Sequence, residues 1–186
     1  MNNNLLYRYY DLNRMCALVD TITHLSEFGY VVGELIGTGT CSDVYTAVDT
    51  NNNMKVALVI MNKREHKADL LLLEIIKGLN IPYLVPIYDI IYFDNTIILV
   101  EQLAIQSANV QGQLSSEIIH EAMIKFGKAA PWLYERNLRH EDMHLRNVGL
   151  FDEKGEIVAK YIDMEAFGCC WELKDVKLEG IDVIKH

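Results

Sequence analysis

Basic side chains are scarce in this chain: 17 Lys and Arg stand against 26 Asp and Glu, a formal charge of −9. A nucleic-acid partner gripped through a broad basic face is therefore excluded, because neutralising phosphates needs clustered cations. Long apolar runs are missing too. Stretches such as Ile97 to Val100 fall far below the ~20 residues that a membrane helix requires. Met1 to Leu6 offers neither a basic start nor an apolar core, which argues against a secretory signal. The four cysteines, Cys16, Cys41, Cys169 and Cys170, contain no CxxC spacing, and adjacent cysteines are badly placed to close a structural disulfide. They read as free thiols in a reducing compartment, so the expectation is a soluble protein in the cytoplasm of the producing cell or of a host. Zinc chemistry also lacks its ligands. His140 and His144 are four residues apart, but Asp142 lies between them in a loop and no third ligand is spaced to join them.

What is present suffices for one core. A chain of 186 residues, 51% hydrophobic, can bury roughly 70% of the surface its unfolded form exposes. Leu5, Tyr9, Leu12, Met15, Cys16, Val19, Ile22 and Leu25 recur at steps of three and four, which predicts an amphipathic N-terminal helix or two short ones. From Tyr30 the pattern changes to β-branched runs at Tyr30 to Ile36, Val44 to Asp49 and Val56 to Met61, with three asparagines as a turn; this predicts an antiparallel meander. Glu65 to Leu79 carries a helical apolar stripe, and Pro82 ends it. Strands at Val85 to Phe93 and Ile97 to Glu101 follow. Gln106 to Gln113 reads as a polar linker. Ser115 or Ser116 caps a further helix with Ile119, Ala122, Met123, Phe126, Ala130 and Leu133 on its inner face, kinked or restarted at Pro131. Short strands at Val148 to Phe151 and Ile157 to Met164 close the pattern.

Three segments carry polar residues in spacings that suggest chemistry. Gly37-Thr38-Gly39-Thr40-Cys41-Ser42-Asp43-Val44 sits at a turn between two strands, where glycines let backbone amides approach phosphates. His140-Glu141-Asp142-Met143-His144-Leu145-Arg146-Asn147 is a polar loop between apolar elements. Tyr161-Ile162-Asp163-Met164-Glu165 ends a strand sixteen residues after Asn147. Taken singly, each has an ordinary explanation: a plain hairpin, solvated loop charges, carboxylates at a strand end.

Together and in this order they resemble the protein-kinase-like superfamily. The first segment is similar to the kinase glycine-rich loop, with Ser42 in place of a third glycine. The second matches the catalytic loop in its His, Asp and Asn, and His144 gives it the form seen in aminoglycoside and choline kinases. The third resembles the metal-binding Asp motif. The resemblance runs from about Tyr30 to Glu165. It implies an α+β, bilobal kinase-like fold, with residues 1–29 as a helical extension, 30–103 as a five-stranded antiparallel N-lobe with one helix, and 104–186 as a reduced helical C-lobe.

The resemblance also assigns roles. Asp142 would accept the proton of an attacking hydroxyl, with His144 beside it, and Asn147, Asp163 and Glu165 would hold Mg²⁺ or Mn²⁺. Gly37, Gly39, Ser42 and Val44 would cover ATP, with Ala57, Glu101 and Leu103 lining the base and hinge. Val56-Ala57-Leu58-Val59 aligns with the strand that carries the phosphate-binding lysine, so Val59 stands where that lysine belongs and Glu74 loses its partner. Lys63 is the candidate substitute, though four residues along a strand is about 13 Å. Only 23 residues follow Asp163, which predicts a truncated kinase without an activation segment, its helix Ile118 to Leu133 covered by the N-terminal helix. Two functions fit: a minimal ATP-dependent phosphotransferase acting on a protein or small-molecule hydroxyl, or a pseudokinase that docks on a kinase or its substrate. The expected partners are a nucleotide and a protein, with no nucleic acid and no membrane.

Overall fold

The computed structural model describes residues 20–39, 42–62, 70–93, 95–108, 112, 114–169 and 177. Residues 20–27 are helical (α1) and lead through Gly29, whose φ of 85° is open to glycine at no steric cost, into β1 (Tyr30–Thr38). β2 (Ser42–Asp49) and β3 (Met54–Asn62) complete an antiparallel meander. Its second turn is chemically specified: Asp49 Oδ1 accepts from Asn51 N and Asn52 Oδ1 from Met54 N, each at 2.9 Å, while Asn53 takes a left-handed φ of 58°.

Helix α2 (Leu70–Ile76) follows, then β4 (Ile87–Phe93) and β5 (Thr96–Gln102). The resulting five-stranded antiparallel sheet has the order β1-β2-β3-β5-β4. The architecture is thus α+β, as expected, with the helix inserted after the third strand. The predicted start of α2 at Glu65 falls in residues 63–69, outside the described residues.

The predicted linker begins differently. Gln106–Ser107 forms β6, paired with Leu150 and Gly149. The polar residues are accommodated because Gln106 turns its side chain to the chain itself, Oε1 accepting from Leu114 N at 3.2 Å. α3 (Ser116–Phe126) is capped by Ser115, whose side chain accepts from Ile118 N. The helix stops at Gly127, and α4 (Ala129–Glu135) restarts with Pro131 in its first turn, where no intrahelical N–H is needed. β7 (Leu138–His140), β8 (Val148–Glu153), β9 (Glu156–Tyr161) and β10 (Phe167–Cys169) supply two small sheets, β10-β7 and β6-β8-β9.

Two apolar clusters follow from strand alternation. One face of the large sheet, through Val59, Met61 and Leu99, packs on Leu72, Leu73 and Ile76 of α2 and continues into Phe126, Leu133, Phe151 and Phe167. The other face, through Leu58, Ile98 and Val100, packs on Leu25 of α1. Residues 20–27, the described part of the predicted N-terminal helix, thus meet the sheet rather than α3, while Leu5 to Val19 of that prediction lie outside the described residues. Leu25 is fully buried against the sheet, and His24 stacks on Phe93 with ring centroids 4.1 Å apart, whereas Ile118 and Ile124 of α3 stay exposed. The apolar period at Ile22 and Leu25 does not by itself name the surface that this face meets.

Backbone bonds tie the layer of the large sheet to that of the small sheets. Tyr161 N donates to Tyr83 O at 2.7 Å, and Val85 N donates to Tyr161 O at 2.9 Å. The connection before β4 is thereby tied to the strand that ends two residues before Asp163. No helix among the described residues is long and apolar enough to cross a membrane.

Candidate active site

The sheet brings one group of predicted residues into adjacent ladder positions. Gly37 pairs with Val44, Val44 with Val59, and Ala57 with Glu101. Gly39 N donates to Ser42 O at 2.7 Å and closes the turn. Ser42, Ala57 and Glu101 are buried, and Val44 and Leu103 are half-buried. Neither glycine is demanded by the backbone, since neither has a positive φ. A Cβ would meet Val44 at 3.6 Å from position 37 and Ser42 O at 3.4 Å from position 39, ordinary contact distances. The fold itself therefore leaves room for a side chain at both positions. Ile36, next to Gly37, is 52% exposed. Sequence reading passed over this apolar side chain because a strand period treats it as the outward half of an alternation.

The second group lies in the loop after β7 and the strand end after β9. The side chain of Asn147 donates through Nδ2 to the Asp142 carbonyl at 3.0 Å and to Asp142 Oδ2 at 3.1 Å. His144 Nε2 lies 3.1 Å from the same Oδ2. Asp142 is thus fixed from two sides while remaining exposed. With its amide nitrogen committed to Asp142, Asn147 turns its carbonyl oxygen the other way as an open acceptor. Backbone contacts weld this loop to the Asp163 segment: Ile162 N donates to Asn147 O at 2.9 Å, and Glu141 N to Ala166 O at 2.8 Å.

His140 completes the weld. It is 1% exposed, its Nε2 lies 2.9 Å from Ile162 O, and its ring stacks on Tyr161 at 4.7 Å. Burial pushes its pKa down, so the neutral ring donates to that carbonyl. The residue after that carbonyl, Asp163, has φ 65° and ψ 56°. A non-glycine residue in this region costs on the order of 1–2 kcal/mol, and Asp163 N-caps a 3₁₀ turn, Met164–Ala166, that replaces the predicted end of the strand.

Lys63 lies outside the described residues, as does the Glu165 side chain. Val59 is 4% exposed within the apolar cluster. Glu74, expected to lack a partner, has two: Lys77 Nζ at 3.1 Å and the Tyr92 hydroxyl at 3.0 Å. Lys77 also reaches Asp89 at 3.5 Å. The spacing of three between Glu74 and Lys77 could have revealed this pair. Burial, followed by the Glu74 bond and charge, pushes the Tyr92 phenol up to about 12.

Among the described residues no group of three His, Cys, Asp or Glu could hold a metal alone. Mg²⁺ suits such a site, because it is usually held by one or two carboxylates together with substrate phosphates and water. Asn147, whose side-chain carbonyl is left over by its bonds to Asp142, and the Asp163 carboxylate would be the residues to hold such an ion.

A sheet carrying a glycine turn, joined to a loop with Asp142 and Asn147 and to a strand-end Asp163, defines a protein-kinase-like chain. Comparison with known proteins agrees: the model of the protein kinase domain matches residues 30–180, and the chain belongs to that family. The chain is also 26% identical over 136 residues to testis-specific serine/threonine-protein kinase 4 of Homo sapiens. That alignment covers 67% of this chain and 41% of the human protein, so the chain spans less than half the length of this relative.

Proposed function

We propose that the chain is a Mg-ATP-dependent phosphotransferase acting on a hydroxyl, with residues 30–103 roofing the nucleotide and residues 104–186 carrying the chemistry. The observation that carries this reading is Asp142, exposed yet held by His144 and Asn147, and welded through Ile162 to Asp163. A merely solvated carboxylate has no need of that scaffold, nor would Asp163 need a left-handed backbone.

Gly37, Gly39 and Ser42 would lie against the phosphates, and Ile36, Val44, Ala57 and Leu103 against the base, with Glu101 at the hinge. Asn147 and Asp163 would hold the cation, with Glu165 as a further oxygen donor. When bound, Mg-ATP supplies the phosphoryl group and neutralises the charge that develops on it. Asp142 Oδ2 orients the acceptor hydroxyl and takes its proton. His144 and Asn147 keep that oxygen in place.

The second reading, a nucleotide-binding module without catalysis, is favoured by Val59 and Glu74. The cation-carboxylate pair expected at these positions is replaced by an apolar contact at Val59 and by bonds from Glu74 to Lys77, just after α2, and to Tyr92 of β4. Losing such a stabiliser costs on the order of 10²–10³ in rate. ADP release from Mg-ATP, followed over hours with and without candidate hydroxyl acceptors, separates the two. The phosphotransferase reading expects slow release that Asp142→Asn abolishes while nucleotide binding persists. Binding without any release, or release unchanged in Asp142→Asn, would leave the binding module.

A further inference from the structure

Between α3, β9 and the connection before β4 lies a cavity of about 250 Å³ that shares no residue with the site described above. Its walls are apolar: Tyr83, Ala122 and Phe126 face it, and the Tyr83 and Phe126 rings meet edge to face with centroids 6.3 Å apart. Its polar lining is dominated by donors. Lys160 of β9 is 3% exposed, and its Nζ donates to Glu153 Oε1 at 2.5 Å and to Asn80 Oδ1 at 3.3 Å. An ammonium carries three protons, so one remains. Because Asn80 uses its oxygen on Lys160, its amide NH₂ is left as a donor. Lys125 of α3 also lines the cavity. It is paired with Glu156 at 2.6 Å and Glu121 at 3.3 Å, both more than half exposed, and such solvated pairs are weak and easily exchanged.

The one carboxylate in the lining, Glu153, is already engaged by Lys160. Donors from three separate segments thus face the cavity, against one carboxylate whose Oε1 Lys160 already holds. An occupant that brings acceptors on an apolar body would meet these donors, and a carboxylate makes the strongest bonds to ammonium donors. We propose that this cavity binds small apolar carboxylic acids, the carboxylate on Lys160 and Lys125 and the body against Tyr83 and Phe126. The volume lies below the usual range for drug-sized ligands, which restricts the body to about one ring.

The test is an NMR titration of the ¹⁵N-labelled full chain with 3-phenylpropanoate and with its neutral isostere 3-phenylpropanamide. The acid is expected to shift the amide signals of Tyr83, Phe126 and Lys160 with a Kd on the order of 1 mM, and the amide to bind at least tenfold more weakly. Lys160→Met removes a buried ion-pair partner and need not fold, so two other variants carry the test. Lys125→Met, on the solvent side, weakens the acid at least threefold and leaves the amide unchanged. Val158→Phe fills the cavity and abolishes binding of both. Equal binding of acid and amide, shifts centred on other residues, or no saturable shift at about tenfold that concentration would each overturn the proposal.

Discussion

Substituting Val59 by lysine puts an ammonium where the resemblance to protein kinases calls for one, and the structure predicts damage rather than repair. Val59 is 4% exposed and packs in the cluster that contains Leu73, Ile76 and Leu99. The carboxylate such a lysine needs, Glu74, is engaged by Lys77 and Tyr92. Fully buried lysines have pKa values lowered by up to 3–5 units. A flexible stem lets the head escape in part, so a displacement of about two units is expected, worth about 3 kcal/mol. For a chain of this size that lowers the melting temperature by roughly 6–12 °C. Val59→Met is the control for length without charge, and overpacking alone costs about 1–3 kcal/mol.

The sign of the pH dependence separates charge from shape. A lysine whose folded pKa is depressed leaves the unfolded chain holding more protons below about pH 10.4, so Val59→Lys gains stability as pH rises toward that value. Its deficit against Val59→Met should be largest near neutral pH and shrink by pH 10. The assay is thermal unfolding of both variants across that range, with Mg-ATP binding measured at neutral pH. A Val59→Lys protein as stable as Val59→Met, and binding Mg-ATP tenfold or more tightly than wild type, would refute the reasoning. Position 59 would then open onto the nucleotide, with Glu74 free to turn toward it.

Four further outcomes are expected. Gly37→Ala and Gly39→Ala, whose added Cβ atoms meet only ordinary contacts, should shift the melting temperature by no more than about 2 °C, within ~0.5 kcal/mol, yet weaken Mg-ATP binding in calorimetry. Leu25→Ala should cost about 2–5 kcal/mol in denaturant unfolding, while Ile124→Ser on the exposed face of α3 stays within about 0.5 kcal/mol; the reverse order would place α1 elsewhere. Asn147→Ala removes both bonds to Asp142 and an open carbonyl, so it should reduce cation-dependent nucleotide binding, read from the Mg²⁺ dependence of the calorimetric Kd. Tyr92, pushed up to about 12, contributes stability that is intact below pH 10 and lost as pH rises toward 12. Ultraviolet titration should show Glu74→Gln ionising that phenol earlier, and Tyr92→Phe removing it.

Much of the fold was legible because its signals are local. Asn51 to Asn53 specify a turn, β-branched runs specify the strands around them, and Ser115 specifies the start of α3. The polar loop and the strand-end Asp were legible as ordered spacings, and the structure joins them through backbone bonds that no spacing reveals, such as Ile162 to Asn147. What escaped the sequence was tertiary choice. Leu25 has a helical period whichever surface it meets, and only packing selects the sheet over α3. Glu74 was assigned by its position relative to Val59, yet its rotamer follows Lys77 and Tyr92. Gln106 reads as linker because its side chain is polar, but its bond to Leu114 lets the backbone pair as a strand. Tyr161 reads as one more strand residue, although it stacks on His140 and ties both layers together.

The most direct measurement is the melting temperature of the wild-type chain and of Asp163→Asn, each with ATP alone, Mg²⁺ alone and both together. A ligand at about ten times its Kd adds about 1.4 kcal/mol, or roughly 3–6 °C here. The account predicts that rise for wild type only when both Mg²⁺ and ATP are present, and its loss in Asp163→Asn. No rise in wild type at millimolar Mg-ATP, or an equal rise in Asp163→Asn, would contradict it.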